Sequence, residues 1–452
     1  MSCILMLEVS SILVSLYGKD VGWLAMVCSV AVLILLFQYP SNYYFLKSEW
    51  LGYDELSILM IVLALLVTMM SLVSSVKDVK SSMPDPLSGW GYVESVILVC
   101  LGSVLFFSVS GWMDFFFFFE FSLIPTFFLI LKWGYQPERL QACMLMILYT
   151  VGFSIPLFMM LIFFWKHFCS DNMLLTKMLG SWLGFDSNWI WSAMFLSFLV
   201  KLPVYGFHMW LPKAHVEAPL SGSMMLAGVL LKFGGYGAVR FLWFSEFFSE
   251  KFMVFLLVIS LWGGVLSSAI CVCQSDMKSL IAYSSISHMA LSLSSLLSMY
   301  SIGKMSCVCL FFCHGLCSPI LFSLAASSYD FLNSRNILMT KSAGRSFPMV
   351  TCAWFLFCIL NMGFPPSLNF FGEVFSVASL LWLNKLLGMI SGVMCFTTGG
   401  YCVLLYSAIN HGVGSTLVFK PNINLSSRYL SSCMFGAIIL LGGGLFLDSF
   451  FV

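Results

Sequence analysis

The stretch that decides the fold runs from residue 190 to residue 219 and reads IWSAMFLSFLVKLPVYGFHMWLPKAHVEAP. It begins as an apolar run typical of a membrane helix, yet Lys201 stands inside that run. An ammonium group at the bilayer centre costs about 2.5–3.5 kcal/mol, so it is expected to face a bundle interior or a wet path. Pro203 and Pro212 then interrupt the helix, and broken backbone is tolerated at membrane depth only inside protein or beside water. The stretch predicts that charge moves through a membrane here.

Composition sets the class of the 452-residue chain. Charged residues make up 9% and hydrophobic residues 60%, whereas soluble domains average about 25% charged. Most of the chain falls into apolar runs of about 20 residues, the length that spans a bilayer core. The net charge is +1, and no tract rich in lysine and arginine is present to bind nucleic acid. These features predict an all-α, polytopic membrane protein.

Runs of this length predict about 14 transmembrane segments. Their approximate bounds are 2–17, 21–38, 55–75, 92–109, 111–131, 142–165, 189–211, 218–241, 252–271, 278–299, 303–328, 349–381, 384–409 and 429–450. The N-terminus has no basic region and no arginine-rich amphipathic helix. It therefore indicates a first membrane segment rather than a removable targeting sequence.

Two of these segments are broken, the seventh after Lys201 and the twelfth at Gly363-Phe364-Pro365-Pro366. They lie five segments apart, and a second copy of an odd-numbered repeat must enter the membrane inverted. Paired broken helices in two inverted repeats point to the central site of a transporter, so Lys201 would correspond to Glu373. The expected organisation is segments one to three in residues 1–90, a first five-helix repeat in 91–241, an inverted second repeat in 252–409, and the last loop and helix in 410–452.

The distribution of basic residues in the loops predicts the orientation. Loops after odd-numbered segments carry twelve lysines and arginines and the other loops carry seven, while Lys201 and Lys232 complete the total of 21. Because basic loops favour the inner side of a membrane, both termini are expected on the outer face.

The cysteines favour neither disulfides nor a metal site. Most of the sixteen cysteines lie inside apolar runs and are scattered without a ligand spacing. Three stretches come nearest to a motif: Cys271-Val272-Cys273, Cys307-Val308-Cys309 and Cys313-His314-Gly315-Leu316-Cys317. None of them has the paired C-x-x-C blocks of zinc or iron–sulfur sites. Nucleotide-binding glycine motifs are also absent from the sequence. No metal or cofactor is therefore expected to bind to this chain.

Ionisable side chains at membrane depth are the candidate functional residues. The primary set is Glu120, Lys201, Lys232 and Glu373, and the secondary set is His208, His215, His288 and His314. Acids, lysines and histidines on separate helices supply the parts of a proton relay, because an acid–base pair can exchange a proton when its members approach. His208 follows Lys201 by about two helical turns, so the two would share a face if the helix continued.

Each assignment has a structural alternative. The lysines could snorkel to the membrane surface from helix ends, and Glu120 could only neutralise a neighbouring lysine. His208 and His215 could be interfacial polar residues, and His288 and His314 could be satisfied core histidines. A further set of acidic residues, near the ends of the predicted segments, is interpreted as exposed to solvent: Asp54, Glu55, Glu94 and Asp114.

A series of motifs runs through the middle of the chain. They are FEFSLIPT at 119–126, WGYQPERL at 133–140, WLPKAHVEAP at 210–219, LKFGGYG at 231–237, KSLIAYSSISHM at 278–289, HGLCS at 314–318 and PPSLNFFGE at 365–373. Together they resemble subunit 4 of mitochondrial NADH:ubiquinone oxidoreductase, respiratory complex I, and WLPKAHVEAP is the most specific of them.

The resemblance implies an antiporter-like subunit in the membrane arm of complex I, in the mitochondrial inner membrane, beside other antiporter-like subunits. It implies that Glu120, Lys201, Lys232 and Glu373 are the key ionisable residues. NADH, FMN, iron–sulfur clusters and ubiquinone would belong to other subunits. Two alternatives stay open: a subunit of a stand-alone cation/proton antiporter, and a structural spacer whose buried charges are dispensable.

Overall fold

The structure is a computed structural model that describes residues 50–75, 91–173, 188–244, 250–332, 334–341, 348–412, 427–444 and 447. Within these ranges the chain is helical, and β pairing is limited to three isolated bridges. Among the described residues, eight helical stretches are long and apolar enough to cross a membrane, two of them formed by consecutive helices, and five shorter helices are apolar too. The prediction of an all-α membrane protein is therefore confirmed.

The α-helices are numbered in chain order, and a π-helical turn, Leu226–Leu230, joins α8 to α9. Their bounds are α1 Glu55–Ser74, α2 Tyr92–Ser108, α3 Trp112–Phe121, α4 Leu123–Trp133, α5 Arg139–Phe168, α6 Asn188–Lys201, α7 Trp210–Glu217, α8 Leu220–Met225, α9 Leu231–Phe244, α10 Glu250–Val272, α11 Met277–Leu297, α12 Ser301–Leu332, α13 Pro348–Asn361, α14 Leu368–Leu383, α15 Lys385–Asn410 and α16 Ser427–Gly442.

The third to fourteenth predicted segments each coincide with one of these helices or with a consecutive pair. The first two segments, 2–17 and 21–38, lie outside the described residues. Both predicted breaks are present, since α6 ends at Lys201 before α7 begins at Trp210, and α13 ends at Asn361 before α14 begins at Leu368. The π turn was not predicted.

The described residues divide into two compact units. The first contains residues up to Lys201 and Glu217–Phe252, and the second contains Leu202–Val216 and residues from Met253 onward. The stretch after the break in the seventh segment therefore groups with the second unit, although the chain on either side of it belongs to the first.

Hydroxyl groups inside the helices bond to the helices' own backbone. In α11, Ser284, Ser287 and Ser292 each donate to a carbonyl three residues earlier, at 2.7–2.8 Å. A hydroxyl in apolar surroundings needs a partner, and this local bond supplies one without requiring another helix. A serine-rich helix can consequently be buried along almost its whole length.

An aromatic cluster forms the core of the first unit. Phe106 is fully buried, and its ring centroid lies 4.1 Å from that of Phe233 and 4.5 Å from that of Phe115. The phenylalanine run 115–119 contributes only some of its rings to this core. Phe115 and Phe119 are buried whereas Phe117 is 60% exposed, because residues four apart share a helix face.

Removing a ring from this cluster should destabilise the protein. Phe106→Ala is expected to lower the free energy of unfolding by about 3 kcal/mol, because the cavity left behind loses its packing contacts. Phe396→Ala is the control, since that ring is 83% exposed on α15. Thermal unfolding of the purified full-length protein in detergent checks the difference, and equal losses in both variants would contradict it.

Candidate functional site

Lys201 is buried at the C-terminal end of α6 in the first unit. It is 3% exposed, and its Nζ donates a hydrogen bond of 2.6 Å to the main-chain carbonyl of Phe119. The same nitrogen lies 3.2 Å from the centroid of the Phe119 ring, a cation–π contact. The ammonium group is thus held by a carbonyl and a ring from α3.

Glu120 follows Phe119 at the point where the fifth predicted segment is interrupted. Helix α3 ends at Phe121 and α4 begins at Leu123, and Pro125 has no N–H to offer to the carbonyl four residues before it. In the described chain the Glu120 Oε1 atom is buried without a hydrogen-bond partner. Its charge interacts with that of Lys201, but no ion pair shorter than 4.0 Å joins these two described residues.

Lys232 is fully buried in the first turn of α9, directly after the π turn. Its Nζ donates a 2.6 Å hydrogen bond to the main-chain carbonyl of Ala227, which lies within that turn. A π turn shifts the register of backbone bonding, and such turns are frequent at functional sites. Lys201 therefore bonds to a carbonyl in the last turn of α3, and Lys232 bonds to a carbonyl in the π turn.

Glu373 lies on α14 in the second unit and is 7% exposed. Its Oε1 is 3.6 Å from Nδ1 of His288 on α11. Gly363, in the break between α13 and α14, has a φ of +72°, and a Cβ there would lie 2.6 Å from Oε2 of Glu373. Only glycine suits this position, because it tolerates the left-handed backbone and leaves room for the carboxylate.

Two further residues extend this group, one predicted from the sequence and one missed. The ring centroid of His314, on α12, lies 5.6 Å from that of His288. Tyr401, on α15, places its hydroxyl oxygen 3.3 Å from Nε2 of His288. A tyrosine inside an apolar run gives no signal in a single sequence, so Tyr401 could not be singled out.

His208 and His215 also belong to the second unit. Nδ1 of His208 accepts a 3.2 Å hydrogen bond from the backbone N–H of Gly206, and the His215 ring stacks on Phe322 at 4.9 Å. The condition under which Lys201 and His208 would share a helix face, a helix that continues past Lys201, is not met. The helix stops at Lys201, and Gly206 has a φ of +106°, so the backbone between the two residues is not regular.

Asp54 was predicted to be exposed to solvent at a segment end, and this prediction is wrong. It forms a short ion pair with Arg240 of α9, and the side chains are only 13% and 12% exposed. Arg240 Nε also bonds to the Tyr236 hydroxyl at 3.0 Å, and that hydroxyl donates to the carbonyl of Phe107 at 3.0 Å. Glu94, in turn, accepts from the N–H of Gly91 and caps its own helix.

The described residues hold no group of three or more His, Cys, Asp or Glu side chains placed to bind a metal ion. The described cysteines are free. Their closest recorded approach, 3.8 Å between the sulfur atoms of Cys309 and Cys313, is far longer than a disulfide bond of about 2.05 Å. Proton transfer between buried acids and bases is the chemistry that the arrangement supports.

The sequence matches a protein family described as NADH:quinone oxidoreductase/Mrp antiporter, TM, over residues 110–399. NADH-ubiquinone oxidoreductase chain 4 of Ceratitis capitata is 40% identical over 387 residues, which cover 85% of this chain and 84% of the relative. The same chain of Albinaria caerulea is 36% identical over 412 residues, covering 88% and 90%. This chain belongs to the NADH-ubiquinone oxidoreductase chain 4 family.

Solved structures share the fold of this member of the chain 4 family. A chain of respiratory complex I from Thermus thermophilus with bound NADH matches it with a TM-score of 0.88 and 19% identity, covering 99% of this chain and 97% of that one. A chain of the Mrp complex from Dietzia sp. DQ12-45-1b matches with a TM-score of 0.84 and 16% identity, covering 100% and 97%.

Adding a methyl group at Gly363 should disturb the Glu373 carboxylate. Gly363→Ala is expected to cost about 1–2 kcal/mol for the left-handed backbone, and to lower NADH-driven proton pumping because the new Cβ displaces the carboxylate. Gly400→Ala is the control, since its Cβ would meet nothing within 4 Å. Thermal unfolding measures the loss of stability, and NADH-driven pumping in membranes measures the effect on the carboxylate. Unchanged pumping by Gly363→Ala would show that the new Cβ does not disturb Glu373.

Proposed function

We propose that this chain carries protons across the membrane as an antiporter-like subunit of NADH:ubiquinone oxidoreductase. The observation that carries the proposal is the burial of three ionisable side chains within apolar helices. Lys201, Lys232 and Glu373 are 3%, 0% and 7% exposed. Burying charge at membrane depth is costly, and residues that do so commonly mark proton or ion pathways.

In the first unit, Lys201 and Glu120 form the proposed switch. The ammonium group rests on the Phe119 carbonyl, one residue from Glu120. Two opposite charges 4 Å apart attract by about 4 kcal/mol at an effective dielectric constant of 20. A movement of Lys201 from the carbonyl toward the carboxylate would therefore favour the charged pair, and the return movement would release a proton from the lysine to the next group.

Lys232 is the proposed next carrier in the first unit. Its ammonium group bonds to the carbonyl of Ala227 in the π turn, and it is fully buried in the same unit as Lys201. A buried lysine loses its proton more readily than an exposed one, because burial disfavours the charged form.

In the second unit, His288, His314 and Glu373 form the proposed relay, with Glu373 as its last member. His288 contacts Glu373 through Nδ1 and Tyr401 through Nε2, at 3.6 and 3.3 Å. An imidazole with a partner at each nitrogen can accept a proton at one and release it from the other. His208 and His215, from the secondary set of candidates, are proposed as further members of the same relay.

We also propose a location, an orientation and neighbouring subunits for this chain. It lies in the mitochondrial inner membrane with both termini on the outer face, beside neighbouring antiporter-like subunits of the membrane arm. Its two five-helix repeats, residues 91–241 and 252–409, are inverted with respect to each other. NADH, FMN, the iron–sulfur clusters and ubiquinone are assigned to other subunits, which drive the relay from a distance.

A subunit of a stand-alone cation/proton antiporter is the second candidate, favoured by the fold shared with the Mrp complex chain. The 35–42% identity to NADH-ubiquinone oxidoreductase chain 4 sequences favours the first. Native gels of solubilised membranes separate the two. The chain should migrate with NADH dehydrogenase activity, whereas its migration apart from that activity would overturn the first candidate.

Replacing the ammonium group of Lys201 should stop proton transfer without preventing assembly. Lys201→Met keeps the apolar stem and removes the charge, so NADH-driven pumping should fall at least tenfold. Lys385→Met is the control, because Lys385 is exposed at the start of α15. Quenching of a pH-sensitive dye in vesicles measures pumping, and native gels measure assembly. Normal pumping by a fully assembled Lys201→Met enzyme would exclude this lysine from the path.

The carboxylate of Glu373 should be required for its acid–base chemistry rather than for its shape. Glu373→Asp is expected to retain more pumping than Glu373→Gln, although glutamine is the closer match in size. Both variants are compared in vesicles at equal amounts of assembled enzyme. Equal pumping by the glutamine variant and the wild type would mean that Glu373 is only a packing residue.

A further inference from the structure

An apolar groove lies in the second unit, between α13, α15 and α16. Its cavity volume is about 500 Å³, and its wall includes Thr351, Phe355, Ile359, Pro366 and Tyr406. None of these residues belongs to the proposed proton path. The groove runs along α13 from near its first turn to the break that separates α13 from α14.

The length of the groove suits an acyl chain of a membrane lipid. Thr351 and Leu360 lie about 14 Å apart along α13, close to the depth of one leaflet, about half of the 30 Å hydrocarbon core. One acyl chain, entering from one membrane surface, fits the available space.

Basic side chains lie at the surface end of this groove. The Tyr406 ring, whose centroid is 5.3 Å from that of Phe355 in the groove wall, is 5.9 Å from the ring of His411. Beside His411, a Cβ on Gly412 would lie 3.4 Å from the Lys341 stem, so Lys341 packs at the same end. His411 is exposed and Lys341 is partly exposed.

We propose that this groove binds one acyl chain of an anionic glycerophospholipid, with the lipid phosphate held between Lys341 and His411. Basic pockets between membrane helices recognise anionic head groups in this way. The far end of the chain would contact Phe364 and Pro366, in the break that also contains Gly363. The lipid would thus pack against the segment that surrounds the Glu373 carboxylate, without itself carrying protons.

Photo-crosslinking of the intact, purified complex tests the proposal. The complex is reconstituted into phosphatidylcholine vesicles that contain a small fraction of an acyl-chain diazirine analogue, either phosphatidylglycerol or phosphatidylcholine. The phosphatidylglycerol probe should label residues 351–366 about fivefold more than the phosphatidylcholine probe. A basic group near the membrane surface attracts an anionic lipid by ~1 kcal/mol, which corresponds to this factor. Equal labelling by the two probes would overturn the anionic site.

Variants separate the head-group contact from the groove. Lys341→Gln combined with His411→Gln should abolish the preference for phosphatidylglycerol, whereas Lys385→Gln at the other end of α15 should leave it unchanged. Cys352→Trp, which fills the groove, should reduce labelling by both probes, unlike Val403→Trp on an exposed part of α15. Unchanged labelling of Cys352→Trp, or no labelling of residues 351–366 in the wild-type complex by either probe, would contradict the proposal.

Discussion

The energetic cost of burying an ammonium group is the constraint on which the first unit depends. A regular membrane helix uses its carbonyls in its own backbone bonds and offers little to a buried charge. Lys201 and Lys232 each reach a main-chain carbonyl at 2.6 Å. One carbonyl lies beside the interruption after α3 and the other lies inside the π turn. The local irregularities are therefore the means by which two positive charges are accommodated in an apolar bundle.

In the second unit, the buried group at the break in the chain is a carboxylate, that of Glu373. The chain breaks between α13 and α14, and Gly363 in that break leaves space at the oxygens of Glu373. His288 supplies the neighbouring base, and Tyr401 contacts the other side of the imidazole. Acid and base meet here through side chains, whereas Lys201 and Lys232 each bond to a main-chain carbonyl.

Much of this architecture could be predicted from the sequence. Apolar runs located the described membrane segments, and prolines located the breaks after Lys201 and Asn361, because ring closure removes a backbone donor. The π turn gave no such signal, since Leu226–Leu230 contains neither proline nor charge.

Contacts between helices that are distant in the sequence could not be predicted from a single sequence. The bond from Lys201 to a carbonyl, rather than to the adjacent carboxylate, depends on how α6 packs against α3. The pairing of Asp54 with Arg240, 186 positions later, also depends on tertiary packing. Hydropathy places Asp54 at a segment end but says nothing about the helix that covers it.

The grouping of Leu202–Val216 with the second unit has a consequence for how the protein is made. The ribosome synthesises these fifteen residues before the residues from Met253 onward. They can therefore pack with the second unit only after that later part of the chain has been made. A fragment that starts at Met253 would lack part of its own compact body, and a fragment that stops at Phe252 would carry a stretch whose partners are missing. A cut of the chain after Phe252 would therefore separate Leu202–Val216 from the rest of the compact unit with which it groups.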